Sequence, residues 1–146
     1  MALLDAGELI APWGPGLSHH SQISIHNLVN VTGDVHHIFP KKYLQDNGYN
    51  DKNFYNQVAN YAYLDTCVNI SVGKKEPKNY FSDALAGCSG SQTIGTITNV
   101  AEFWENLDAN CIPHEVINMT YADYTVFLKQ RRAMMAQKIR KYYEAL

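Results

Sequence analysis

Cysteine is scarce and unclustered: Cys67, Cys88 and Cys111 are the only three in 146 residues, and none lies in C-x-x-C spacing. An odd count at wide intervals excludes a disulfide framework and a cysteine-rich zinc knuckle, and leaves buried thiols as the plain reading. Long apolar runs are missing too. The sequence holds no stretch of about eighteen apolar residues, and Met-Ala-Leu-Leu-Asp lacks the basic start and extended apolar core of a signal peptide. A cytoplasmic protein with no membrane segment is therefore expected.

Positive charge is absent from whole regions. Residues 1–33 contain no Lys or Arg, and neither do residues 79–119, which carry the five acids Asp83, Glu102, Glu105, Asp108 and Glu115. The basic residues fall into two groups of six, Lys41, Lys42, Lys52, Lys74, Lys75 and Lys78, then Lys129, Arg131, Arg132, Lys138, Arg140 and Lys141. A net charge of −2 argues against a protein that grips nucleic acid over its whole surface. A segregated field can still steer a polyanion to one face, although a solvated helix face explains the C-terminal six equally well.

With 46% hydrophobic content, 146 residues can bury one core, so a single domain is expected. Residues 1–21 show no sustained period and read as a lead-in; His19, His20 and His26 have no carboxylates at ligand spacing and read as ordinary histidines. The turn signal Thr32-Gly33-Asp34 opens a short strand over Asp34–His37. One or two helical turns follow over Pro40–Gln45, ended by Asp46-Asn47-Gly48, and residues 49–59 form a polar connection or short helix. Asn60–Leu64 reads as a second strand with Tyr61 and Tyr63 on one face. A helix capped by Asp65 or Thr66 then runs to about Val72 and stops at Gly73.

Beyond Tyr80, residues 82–98 are rich in Gly, Ser and Thr and read as a mobile loop with a short strand near Thr93–Ile97. Asn99, with Glu102 three residues on, opens a helix that buries Phe103, Trp104 and Leu107. After a Cys111–Met119 connector, a long helix from about Tyr121 carries the stripe Tyr124, Leu128, Met135, Ile139 and Tyr142, as core or interface. The expected class is α+β.

Chemistry concentrates in Asp34–Phe81. Adjacent histidines (His36, His37) close a short strand, and a carboxamide (Asn69) sits on the following helix, so one divalent metal can draw two ligands with a base nearby. Strict strand alternation points the two histidines to opposite faces. Both can serve one site only if the strand ends or bends there, and Pro40 makes such an end plausible.

The run HHIFPK, then N-x-x-x-N-Y, then N-x-S-x-G-x-K-x-P-x-x-Y-F resembles the His-Asn-His (HNH) endonucleases, and within them the nuclease domain of GmrSD-type modification-dependent restriction enzymes. The likeness is dense over Val35–Phe81. From Pro113 it is thinner, where FLKQRRAMMAQKI resembles the Phe-Leu-x-x-Arg helix closing that branch, and none is seen before Gln22. The resemblance implies a ββα-metal (HNH) finger embedded in a mainly helical single domain with a long C-terminal helix. It places the core at about 34–73 and a helical part at about 99–146, within a nuclease domain of 23–146. It also implies a targeting or NTP-hydrolysing domain or subunit ahead of this chain, with residues 1–22 as lead-in from it.

The implied activity is metal-dependent hydrolysis of DNA phosphodiester bonds in a restriction, anti-phage defence system. His37 is then the general base, and His36 and Asn69 hold Mg²⁺, with Mn²⁺, Ni²⁺ or Zn²⁺ also open. Asn60 is structural: its side chain ties the connection and its carbonyl orients His37. Lys74 and Lys75 are candidates for the DNA backbone. Arg131 is a candidate either for a phosphate or for buttressing the motif. Many HNH enzymes have Asp before the base and a second His on the helix; this chain has His36 and Asn69, both neutral. Hard Mg²⁺ binds such ligands less firmly, so its occupancy is expected to lean on substrate phosphate. A homodimer would turn single-strand nicking into a double-strand break; the sequence leaves oligomeric state open. The alternatives are an inactive module of the same fold that binds nucleic acid or protein, and an RNA-cleaving nuclease.

Overall fold

The computed structural model describes residues 33–90 and 97–146. The lead-in, His19, His20, His26 and the strand expected near Thr93–Ile97, apart from Ile97 itself, lie outside the described residues. Two antiparallel strands, β1 (Gly33–His37) and β2 (Tyr61–Asp65), pair in the register His36 with Ala62 and His37 with Tyr61. Between them run two short helices, α1 (Lys41–Asp46) and α2 (Lys52–Tyr55), and a 3₁₀ turn (Val58–Asn60). After β2 come α3 (Thr66–Val72), α4 (Pro77–Gly87), α5 (Val100–Ala109), 3₁₀ turns at His114–Asn118 and Tyr121–Asp123, and α6 (Tyr124–Glu144). This is an α+β arrangement dominated by helix, and its first half has the order strand, connection, antiparallel strand, helix.

Local chemistry sets these boundaries. Gly48 (φ +94) follows α1 and Gly73 (φ +52) ends α3, both in the left-handed region where a Cβ is costly. The Asp51 side chain accepts from Asn53 N–H at 2.8 Å to cap α2, and Asn99 accepts from Ala101 N–H at 2.7 Å to cap α5. A capping box between Thr120 and Asp123 leads into α6.

The segment 82–87, expected as loop, is helical. Pro77 occupies the first turn of α4, where its missing N–H costs nothing, and Pro77, Tyr80, Phe81, Ala84 and Gly87 are buried at helical spacing. The apolar period outweighs the local Gly and Ser content.

One apolar cluster runs from Ile38 to Leu128 and takes in Phe39, Leu44, Val72, Tyr80, Phe103 and Phe127. The first two turns of α6 belong to it through Tyr124, Phe127 and Leu128. Further along, the stripe leaves the core: Met135 is half-buried and Ile139 is 51% exposed. Cys88 and Cys111 are free thiols, and Cys111 is buried at φ 52. Among the described residues no helix is long and apolar enough to cross a membrane.

Candidate active site

The site is built on the bend that follows β1. Ile38 N–H donates to the Asn60 carbonyl at 2.8 Å, and the Asn60 side chain clasps the next residue from both sides. Its Oδ1 accepts from Phe39 N–H at 2.8 Å, and its Nδ2 donates to the carbonyls of Phe39 and Tyr55 at 3.1 Å each. Tyr80, fully buried on α4, donates its hydroxyl to the Ile38 carbonyl at 2.6 Å. Arg131 comes in from α6 and donates to the carbonyls of Ala59 (3.0 Å) and Tyr61 (2.6 Å), the residues on either side of Asn60, and to that of Asn110 (3.2 Å). A backbone that leaves a sheet underneath a core must find other partners for its polar groups, and here side chains supply them.

Because β1 holds its alternation to His37, the two histidines face different environments. His36 is 6% exposed, on the inner side with Ala62 and Leu64, and its Nδ1 lies 2.6 Å from Asn69 Oδ1 on α3. Burial, offset in part by Asn69 and reinforced by the charge of a protonated His37, lowers its pKa to about 4. The ring is therefore neutral at pH 7. Its Nε2 is buried without a partner among the described residues, beside a cavity of about 10 Å³ lined also by Ile38, Tyr80 and Asn106, close to the size of one water.

His37 is half-buried on the outer side, its ring edge-on to Tyr61 with centroids 4.9 Å apart. Its Nε2 lies 3.0 Å from the Asn56 Oδ1, just after α2. Burial holds its pKa below the ordinary imidazole value; Asn56 opposes that shift and the ammonium of Lys41 adds to it. A neutral, accessible imidazole can accept a proton at neutral pH.

The donors fit a divalent ion in a limited way. Ligands about 2.1 Å from Mg²⁺ at right angles stand about 3 Å apart, so joint ligation needs His36 Nδ1 and Asn69 Oδ1 to part by a few tenths of an ångström and the ring proton, which Asn69 Oδ1 accepts from Nδ1 as the pair stands, to move to Nε2. Neither brings negative charge. Among the described residues no group of three or more His, Cys, Asp or Glu is placed to hold a metal. Such a pair suits an ion that keeps most of its water or takes oxygens from a phosphate.

The structure thus joins His36 to Asn69 and sets Asn60 under the bend; that bend falls after His37 and not between the histidines, so His37 faces the outer side of β1 and is not brought onto the face of the His36–Asn69 pair. The Asn60 carbonyl, expected to orient the His37 ring, is engaged by Ile38 N–H; the ring meets Asn56. Arg131 is corrected as a DNA-backbone candidate. It is 1% exposed, spent on three carbonyls and lowered by burial to about 10, so it cannot reach a phosphate outside. Buttressing the motif, the other role left open for it, is what its contacts do. Lys74 and Lys75 are exposed just past α3, with Lys75 Nζ 3.8 Å from Asp83.

Sequence reasoning gave no role to Asn56, although it is the first asparagine of the N-x-x-x-N-Y run. It also missed Lys41, whose ammonium stands 5.3 Å from the Tyr55 ring centre. No protein-family model matches the chain, and no curated protein or solved structure shows significant similarity to it.

Proposed function

We propose that this chain is a metal-dependent endonuclease of the HNH type that hydrolyses DNA phosphodiester bonds, acting as the nuclease part of a restriction or anti-phage defence enzyme. The observation that carries the reading is the bend after β1. It sets a part-buried His36–Asn69 pair, 2.6 Å apart, one residue from a half-exposed imidazole, on a backbone that Asn60 and Tyr80 lock. Together with the HHIFPK and N-x-S-x-G-x-K-x-P-x-x-Y-F runs, this order of strand, strand and helix supports a ββα-metal finger.

In this reading His37 takes a proton from the attacking water, which adds to phosphorus as the bond to the 3′-oxygen breaks. His36 and Asn69 hold a divalent ion, Mg²⁺ in the first instance, which when bound supplies Lewis acidity toward the phosphate and the leaving oxygen. Burial keeps His36 neutral at pH 7, and ligation through Nδ1 would put its one remaining proton on Nε2. Asn60 fixes the backbone between base and core. Lys74 and Lys75 meet the phosphate backbone and contribute salt-dependent affinity.

One observation favours a second reading. Both donors are neutral, which suits an inactive module of the same fold that binds nucleic acid without cutting it. Supercoiled plasmid incubated with Mg²⁺, Mn²⁺ or Ni²⁺, against EDTA and beside a structured RNA, separates the readings. Metal-dependent nicking of DNA is expected. Retention of plasmid without cleavage in every metal supports the module, and cleavage of RNA alone reassigns the substrate.

A further inference from the structure

The His37 ring is held by a residue to which no role had fallen. Asn56 is exposed, yet its backbone is pinned. Its N–H donates to the Lys52 carbonyl at 2.9 Å at the end of α2, between a buried Tyr55 and Gln57. Gln57 in turn bonds the Asn53 carbonyl through its amide nitrogen and accepts from Arg132 on α6 at 2.7 Å through its amide oxygen. An asparagine on so constrained a backbone presents its amide in a narrow range of positions. Its Oδ1 stands 3.0 Å from His37 Nε2.

We propose that Asn56 is the positioning residue of the base: by accepting from Nε2–H it fixes the His37 ring and its tautomer, and leaves Nδ1 as the nitrogen that takes the proton from water. This rests on the nuclease reading and gives Asn56 the orienting role that the motif would have assigned to the Asn60 carbonyl. A neutral imidazole has one N–H and one lone pair, so an acceptor on Nε2 commits the lone pair to Nδ1. In the step itself, water gives one proton to Nδ1 and its oxygen bonds phosphorus. The bond to the 3′-oxygen breaks, that oxygen takes a proton from solvent, and Nε2–H stays on Asn56 throughout.

An amide suits this place better than a carboxylate. It orients the ring as the third member of a catalytic triad does, but it puts no negative charge where a phosphodiester must approach. A carboxylate beside the ring would also hold it protonated to higher pH.

The test uses the whole chain in four forms: wild type, Asn56→Ala, Asn56→Asp and Asn56→Leu. Proton and long-range ¹⁵N spectra of the His37 ring are recorded alongside plasmid-cleavage kinetics. The wild type should show a protected ring N–H assigned to Nε2. Asn56→Ala and Asn56→Leu should lose that signal and lower kcat about 10- to 100-fold with KM unchanged. Asn56→Asp should restore the signal but recover kcat only as pH rises, because its carboxylate holds the ring protonated to higher pH. A wild type that cleaves while Asn56→Ala keeps its kcat, or a ring protonated at Nδ1, overturns the positioning role and leaves the nuclease reading standing. A folded wild type that cleaves nothing in any metal removes the nuclease reading, and the positioning role with it.

Discussion

The corner around Asn60 and the outer face around His37 are a few residues apart in sequence and differ in almost every physical respect. In the corner Asn60 is fully buried, and its side chain makes three hydrogen bonds that Tyr80 and Arg131 reinforce from α4 and α6. On the outer face, His37 is half-exposed and its ring has one hydrogen bond among the described residues, to an exposed asparagine. Unmade bonds are expensive where water cannot substitute and cheap where it can. The corner is therefore where stability is concentrated, and the outer face is where a side chain can meet a ligand. Substitution should separate the two cleanly.

The largest effect is expected at Asn60. Asn60→Ala strands Phe39 N–H and two carbonyls in a dry corner, and should cost about 3–5 kcal/mol in urea unfolding. His37→Ala should cost no more than about 1 kcal/mol. Equal costs would erase the distinction between the two regions.

Arg131→Met comes next. It removes a buried charge but leaves the carbonyls of Ala59, Tyr61 and Asn110 unpaired, for a loss of about 3 kcal/mol by the same measurement. Arg131→Lys should recover only part of this, because one ammonium cannot reproduce a planar fork across three acceptors.

The third prediction concerns acid. His36 falls from its ordinary 6.5 to about 4 in the folded chain, so between those values the unfolded chain binds a proton that the folded chain refuses. The stabilisation is complete above pH 6.5 and is lost as pH falls toward 4. Its full size is about 3 kcal/mol, at 1.36 kcal/mol per pH unit of displacement. His37, also displaced downward, adds in the same direction. Urea midpoints at pH 7 and pH 4.5 should differ accordingly, and His36→Gln should flatten the difference.

The smallest effects belong to the surface. Lys74→Ala and Lys75→Ala should each change stability by no more than about 0.5 kcal/mol, Lys75 having only a long exposed pair with Asp83 to lose. Each should weaken DNA binding severalfold at low salt and less at high salt, read by fluorescence anisotropy across a salt series.

The sequence made the inner half of this architecture readable because its signals are local. Pro40, Gly48 and Gly73 punctuate it, alternating Tyr61 and Tyr63 mark β2, and the Asn69 position follows from one turn of helix after the strand. What stayed hidden depends on distant contacts. Arg131 looks like the other five basic residues of its helix, and only the packing of α6 against Asn60 shows that it is buried. Asn56 opens the N-x-x-x-N-Y run, but its contact with His37 depends on the pairing of β1 with β2 and could not be read from that spacing. Residues 82–87 looked like loop because glycine and serine were given more weight than the Pro77, Tyr80, Phe81 and Ala84 spacing.

The most direct test of the central claim is single-turnover cleavage of supercoiled plasmid by wild type and His37→Ala, matched for folding by circular dichroism, with Mg²⁺ or Mn²⁺ and with EDTA. Nicking that requires metal and falls by at least about 100-fold in His37→Ala is the predicted result. Equal cleavage by both proteins, or none by a folded wild type on plain and modified DNA, would contradict it.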